Sequence, residues 1–159
     1  MIEPYLQDLE NRIDASTEEQ LLAEWTAFSQ GSWKEGIFSP RRPRPAPPSL
    51  AWPHVLVDDT LESFEHMALQ QLEGCSKALE HGSSAIPAVR ANYGTSIIPS
   101  LFGARLFIMD RDIDTLPTSW PLDGGKQTIR SLLEAGVPDF DADTLGGRTL
   151  AMGRHFVEL

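Results

Sequence analysis

The chain has 159 residues, enough for one domain with a hydrophobic core, and its hydrophobic content of 41% is ordinary for a globular protein. Its formal net charge of −10 weighs against nucleic acid or an anionic membrane as the main partner, because both attract basic surfaces. A single cysteine, Cys75, excludes a disulfide within the chain, and we expect a reducing, cytoplasmic setting.

Two helices are predicted in the first part of the chain. Apolar residues recur at helical spacing from Glu3 to Ile13. Ser16 and Glu19 then form a capping-box pattern, in which each side chain satisfies a free backbone N–H at the start of a helix. The apolar stripe of this second helix ends near Gly31, because glycine favours helix termination.

A segment rich in proline and arginine follows, and we call residues 31–53 the arm. Its prolines lack backbone donors and disfavour helix, so we expect an extended backbone. Arg41, Arg42 and Arg44 allow two interpretations. The arm is either a polyproline ligand for an SH3-like groove, or a structural segment whose arginines pair with acidic groups of its own protein. We assign residues 1–59 to the N-terminal helices and the arm.

The clearest helix is predicted from Thr60 to His81. Apolar residues recur there every three or four positions, and Gly82 stands at the expected end. Cys75 falls on the apolar stripe. We interpret it as a small core residue rather than a reactive thiol, because burial disfavours the thiolate.

Candidate binding residues lie in the stretch from Ile86 to Met109, which is predicted as strand, glycine-containing loop, short helix and strand. Arg90, Asn92 and Tyr93 stand where the first strand ends, the position at which parallel α/β proteins bind ligands. An arginine there needs an anionic partner, because burying an unpaired charge is costly. That partner is either a ligand carboxylate or an aspartate of the protein, so we take all three residues as candidate substrate-binding residues.

Two further helices are predicted, over residues 125–135 and 149–159. The last helix ends in HFVEL, with neither a glycine stop nor a polar tail. This ending predicts that the chain is the first part of a longer polypeptide.

The remaining motifs supply no catalytic or metal centre. None of the four histidines has a metal-ligand partner four residues on. Asp139, Asp141 and Asp143 resemble the start of a calcium loop, but Thr144 and Leu150 occupy the positions that need glycine and glutamate. We therefore predict a solvated loop that caps the last helix, and we expect neither a metal nor a cofactor.

From about Thr60 onward the chain resembles the uroporphyrinogen decarboxylase-like superfamily, in its uncharacterised decarboxylase- and methyltransferase-like branch. The matching motifs are a short helix with proline and glycine four residues apart, the next strand, and a proline-rich approach to a helix: Pro99–Gly103, Arg105–Met109, Leu116–Pro121 and Thr128–Leu133. The resemblance implies an α/β fold in which residues 60–159 form the opening βα units of a (β/α)8 TIM-type barrel. The N-terminal helices would precede a barrel that is incomplete in this chain.

The resemblance implies a decarboxylase-like protein that binds or acts on a carboxylated small molecule. Where the true decarboxylases have an aspartate, this chain offers Asn92 or Gly94, so we do not expect true porphyrinogen decarboxylation. A lyase or methyltransferase activity would need the full barrel, supplied by self-association or a second chain. Two alternatives stay open: a stand-alone α/β interaction module that uses the arm, and part of a corrinoid-linked methyltransferase.

Overall fold

A computed structural model of the chain describes residues 2–34, 36–140 and 143–159. The helices of these ranges are α1 (Glu3–Arg12), α2 (Ala15–Ser29), α3 (Val57–Glu62), α4 (Phe64–Glu80), α5 (Ile97–Leu101), α6 (Gly125–Ala135) and α7 (Leu145–Glu158). Short 3₁₀ turns cover Gly94–Ser96 and Arg111–Ile113. Strand β1 (Leu106–Phe107) pairs antiparallel with β2 (Thr118–Ser119), with Leu106 opposite Ser119.

The predicted fold class, the opening βα units of a (β/α)8 barrel, is wrong. The described residues are mostly helical and contain one sheet, whose two strands run antiparallel. A barrel unit needs parallel strands joined by a helix. The first predicted strand, 86–90, is irregular backbone, and Pro87 within it has no N–H to give to a sheet. The second, 105–109, shortens to the two residues of β1.

The described chain forms two compact units. The first unit comprises the chain up to His54 together with Ala68–Val89. The second unit comprises Val55–Met67 and Arg90–Leu159. Helix α4 therefore begins in the second unit and continues in the first.

The core of the first unit lies between α1 and α4. Its buried members are one residue of α1 and three of α4: Leu9, Leu72, Cys75 and Leu79. The predicted burial of Cys75 is confirmed. Burial raises the pKa of the Cys75 thiol, which keeps it protonated at neutral pH.

The arm is held to the first unit by Arg42, which is only 7% exposed. Its guanidinium donates to both carboxylate oxygens of Glu18 on α2, at 2.8 and 2.6 Å. It also donates to the backbone carbonyls of Ser83 and Ala85. Prolines supply no N–H groups, so the arm forms few backbone hydrogen bonds. The side-chain hydrogen bonds of Arg42 stabilise its extended conformation instead.

Substitution of Arg42 tests this arrangement. Arg42→Ala leaves Glu18 and two carbonyls without their donors, so we expect the free energy of unfolding to fall by about 3 kcal/mol, as when a buried ion pair loses one partner. The exposed neighbour provides the control variant, Arg41→Ala, which should change stability by less than about 0.5 kcal/mol. Urea unfolding of both variants measures the difference. Equal effects would show that the arm is not anchored through Arg42.

A second polar junction ties α1 to the arm and to α4. Asp8 accepts hydrogen bonds from the backbone N–H and the hydroxyl of Ser49, at 2.8 and 2.6 Å, and from Arg12 at 2.7 Å. Arg12 also donates to Ser76 and to the Ala46 carbonyl. Burial alone would raise the pKa of Asp8, but the bonds from Ser49 and Arg12 outweigh it and hold that pKa below its usual value.

The lowered pKa of Asp8 predicts acid sensitivity. A group whose pKa is lower in the folded state stabilises the protein above the unfolded pKa, and this contribution is lost as the pH falls through the folded pKa. In Asp8→Asn we therefore expect lower stability at about pH 7 and a shallower loss of stability below about pH 4. Urea midpoints over a pH series measure this, with Glu10→Gln, an exposed carboxyl on the same helix, as control. An unchanged acid slope would contradict the assignment.

Candidate functional site

The second unit contains a cavity of about 390 Å³ whose lining combines charged and apolar side chains. We call it the Arg148 cavity. Its lining residues come from α3, from β1 and the segment after it, and from the start of α7: Asp58, Leu61, Glu62, Leu106, Ile108, Arg111, Asp143, Leu145 and Arg148. Five of these nine residues are charged and four are apolar, so the cavity offers both ionic and apolar contacts to a small molecule.

Helix α7 positions Arg148 at this cavity. The helix is capped by Thr144, whose hydroxyl accepts a hydrogen bond from the Gly147 N–H at 3.0 Å. A side chain at Gly146 would overlap Leu101, so this glycine allows α7 to pack closely on α5. Arg148 thus lies in the first turn of α7, where the helix dipole disfavours a cation and favours an anion.

Two aromatic rings enclose the Arg148 guanidinium. Its central carbon lies 5.4 Å from the ring centre of Phe64 and 5.9 Å from that of Tyr93. Both distances fall in the range of cation–π contacts. Its Nε atom is buried without a hydrogen-bond partner, and no described carboxylate forms an ion pair with it. Arg148 is therefore a half-buried cation for which the described residues of its unit provide no ion-paired carboxylate.

Tyr93 supports Arg148 from the interior of the unit. The residue is fully buried, and its hydroxyl forms no hydrogen bond of regular geometry with the described residues, although Arg148 lies close enough to act on it. Burial raises the pKa of Tyr93, and the neighbouring Arg148 offsets part of that rise. The phenol is neutral at physiological pH, so Tyr93 contacts Arg148 through its aromatic ring and does not neutralise its charge.

The second arginine of the cavity, Arg111, is already paired. One of its nitrogens donates to both carboxylate oxygens of Asp59, at 2.7 and 2.9 Å. This pair is largely open to solvent. Arg111 is thus a neutralised group at the cavity, in contrast to Arg148.

Of the residues that the sequence predicts for binding, only Tyr93 contacts this site. Arg90 is exposed on irregular backbone, and Asn92 is half-buried. Neither lines the Arg148 cavity. The sequence analysis did not identify Arg148. A signal was present, because Arg148 lies in the first turn of the helix that Thr144 caps, and the helix dipole disfavours a positive charge there.

The structure also bears on metals and membranes. Within the described ranges, no three His, Cys, Asp or Glu side chains are grouped so as to hold a metal ion. Asp141, the middle residue of the predicted acidic loop, lies outside these ranges, and Asp139 is exposed. No described helix combines the length and apolar character that crossing a bilayer requires.

A second concave surface of this unit, which we call the α5–α6 groove, is almost wholly apolar. It measures about 600 Å³ and is lined by residues of α5, α6 and the segments beside them: Ile98, Pro99, Phe102, Leu122, Ile129, Leu132, Leu133, Gly136, Val137 and Pro138. It lacks the polar groups that would orient a small ligand. The self-association expected from the sequence would use a surface of this kind, and it stays a prediction.

No protein-family model, curated protein or solved structure matches this chain. The resemblance to the uroporphyrinogen decarboxylase-like superfamily therefore stays a prediction. The interpretation of the Arg148 cavity rests on the geometry and chemistry of its own residues.

Removal of the Tyr93 hydroxyl tests the description of the site interior. A buried hydroxyl without a partner destabilises the folded state, so Tyr93→Phe should leave the free energy of unfolding unchanged or raise it by about 1 kcal/mol. Thermal and urea unfolding measure this, with the half-buried Tyr5→Phe as control. A clear loss of stability in Tyr93→Phe alone would show that the hydroxyl has a partner.

Proposed function

We propose that the second unit binds a small molecule through a carboxylate, with Arg148 as the anion-binding residue. The observation that carries this proposal is the half-buried Arg148 guanidinium, held between two rings, without a carboxylate partner and open to a cavity of about 390 Å³. Guanidinium groups bind carboxylates with two parallel hydrogen bonds. A ligand carboxylate would thus supply the missing counter-ion.

A structural role is the competing explanation for Arg148. Its stacking on Phe64 and Tyr93 would stabilise the unit even without a ligand. Packing alone, however, needs no cation, and a methionine or leucine would fill the same space without the desolvation of charge. The exposure of this cation to a cavity favours the binding role.

The proposal keeps one part of the expected function, the carboxylated small molecule, and assigns no reaction. Among the described residues that line the cavity, the ionisable groups are carboxylates and arginines, and no contact between them identifies a reacting pair beyond the Arg111–Asp59 ion pair at its edge. The barrel on which decarboxylase or methyltransferase chemistry would depend is not the fold of this chain. We therefore propose binding and assign no reaction, and we propose a cytoplasmic setting from the single cysteine of the sequence.

The arm is a weaker candidate for function. Its central arginine, Arg42, is engaged by Glu18 and by two carbonyls of the first unit. A ligand for an SH3-like groove needs its arginine free to meet acidic residues of the partner. We propose a structural role for the arm.

Titration with a matched pair of ligands tests the binding proposal. Hexanoate and hexanamide share their chain and differ only in the carboxylate. We expect hexanoate to bind more tightly, and Arg148→Met to weaken hexanoate about tenfold or more, since a hydrogen bond to a charged group contributes roughly 1.5–3 kcal/mol. Isothermal titration calorimetry or ligand-detected NMR measures both.

Arg90→Met is the control variant, because it removes the arginine that the sequence predicts for this role. It should leave hexanoate binding unchanged. Loss of binding in Arg90→Met together with full binding in Arg148→Met would overturn the assignment to Arg148. Circular dichroism of both variants checks that they fold.

A further inference from the structure

We propose that the α5–α6 groove is a self-association surface, covered by α6 of a second copy of this chain. The two α6 helices lie antiparallel across a two-fold axis, so each helix occupies the groove of the other copy. This surface does not depend on the carboxylate-binding role of Arg148, because Arg148 lines a different concave surface of the unit.

Helix α6 has an apolar face that needs a partner. Ile129, Leu132 and Leu133 recur at helical spacing and form this face. In the described part of the chain none of the residues of α6 is buried, and Leu133 is 77% exposed. The helix has 11 residues, and isolated helices of this length are marginally stable in water, because packing of the apolar face supplies most of their stability. A second apolar surface laid on this face would therefore stabilise α6.

The groove beside this face has the character of a site for a helix. Its volume is about 600 Å³, and Ile98 of α5 and Phe102 at the end of α5 form its other wall. Val137, just after α6, is exposed and extends the apolar surface. An amphipathic helix that lays its apolar face in an apolar groove is a common mode of recognition. Because α6 is itself such a helix, two copies can cover each other in a closed pair.

The order of charges along α6 favours a second copy as the occupant. Lys126, Arg130 and Glu134 follow one another at intervals of four residues, so they form one row beside the apolar face. The basic residues come first in this row and the acidic residue comes last. When two antiparallel copies face each other with the two-fold axis near Leu132, Arg130 of each copy lies opposite Glu134 of the other.

These charges are available for a partner, and the remainder of the chain disfavours other self-contacts. None of the three charged side chains of α6 forms an ion pair with a residue that the structure describes. The chain has a net charge of −10, so two copies repel each other over most approaches. Helix α6 carries two basic side chains and one acidic one, and its face escapes this repulsion. An antiparallel pair thus covers the apolar face and neutralises the charges beside it.

Charge reversal on α6 tests the pairing. Arg130→Glu and Glu134→Arg each place like charges opposite each other in a pair of identical copies, so the Kd of self-association should rise about tenfold in each variant. An equal mixture of the two variants should recover the affinity of the unmodified chain, because the mixed pair has opposite charges at both contacts. Sedimentation velocity over a concentration series measures each Kd.

Substitution in the apolar face provides a second test. Leu133→Glu places a charge on the covered surface of both copies, so the Kd should rise about a hundredfold or more. The control variant is Val157→Glu on α7, which changes an exposed apolar residue outside the groove and should leave the Kd unchanged. Circular dichroism checks that every variant is folded.

Three outcomes would overturn the proposal. The first is an unmodified chain that stays monomeric up to millimolar concentration. The second is assembly beyond two copies, since an antiparallel pair is closed. The third is association that the mixture of charge-reversal variants does not recover, or that Leu133→Glu and Val157→Glu weaken equally, because a different surface would then join the copies.

Discussion

A buried guanidinium group must have hydrogen-bond acceptors, and in the first unit this requirement fixes the position of the arm. The arm contributes few backbone hydrogen bonds, because prolines interrupt its donors, so side-chain hydrogen bonds and the packing of Phe38, Ala46 and Trp52 hold it in its unit. Arg42 joins it to α2 through Glu18 and to the segment after α4 through the carbonyls of Ser83 and Ala85. Arg12 on α1 also donates to the arm, at the Ala46 carbonyl, and to Asp8 and Ser76. Two arginines therefore connect the arm to the helices of the first unit.

The second unit uses an arginine in the opposite way. Arg148 is enclosed by Phe64 and Tyr93, which stabilise a cation without neutralising it. Its position in the first turn of α7 adds a further preference for an anion. Arg42 is thus a structural residue, whereas the anion-binding role of Arg148 is a proposal that rests on the missing ion pair.

Local pattern predicted several elements well and one badly. The helix predicted over 125–135 has the bounds of α6. The helix predicted from Thr60 to His81 is interrupted at Ser63, where an extended conformation separates α3 from α4. The strand predicted over 86–90 failed because a short apolar run is compatible with a strand, a helix or packed irregular chain, and only a partner strand distinguishes them. The barrel fold that the family resemblance implied is wrong for a related reason, because it needs parallel strands and the sheet of the described residues is antiparallel.

The sequence by itself determined the helical stripes, the burial of Cys75 and the irregular backbone of the arm, because each follows from spacing or residue chemistry within a few positions. Only the tertiary structure decided that Arg148 is half-buried beside two aromatic rings without an ion-paired carboxylate among the described residues. The sequence pattern pointed to Arg90, which is exposed, and the half-buried unpaired cation is Arg148. The physical reason is that a charge is satisfied by whichever segments meet it in space, and Phe64, Tyr93 and Arg148 are far apart along the chain.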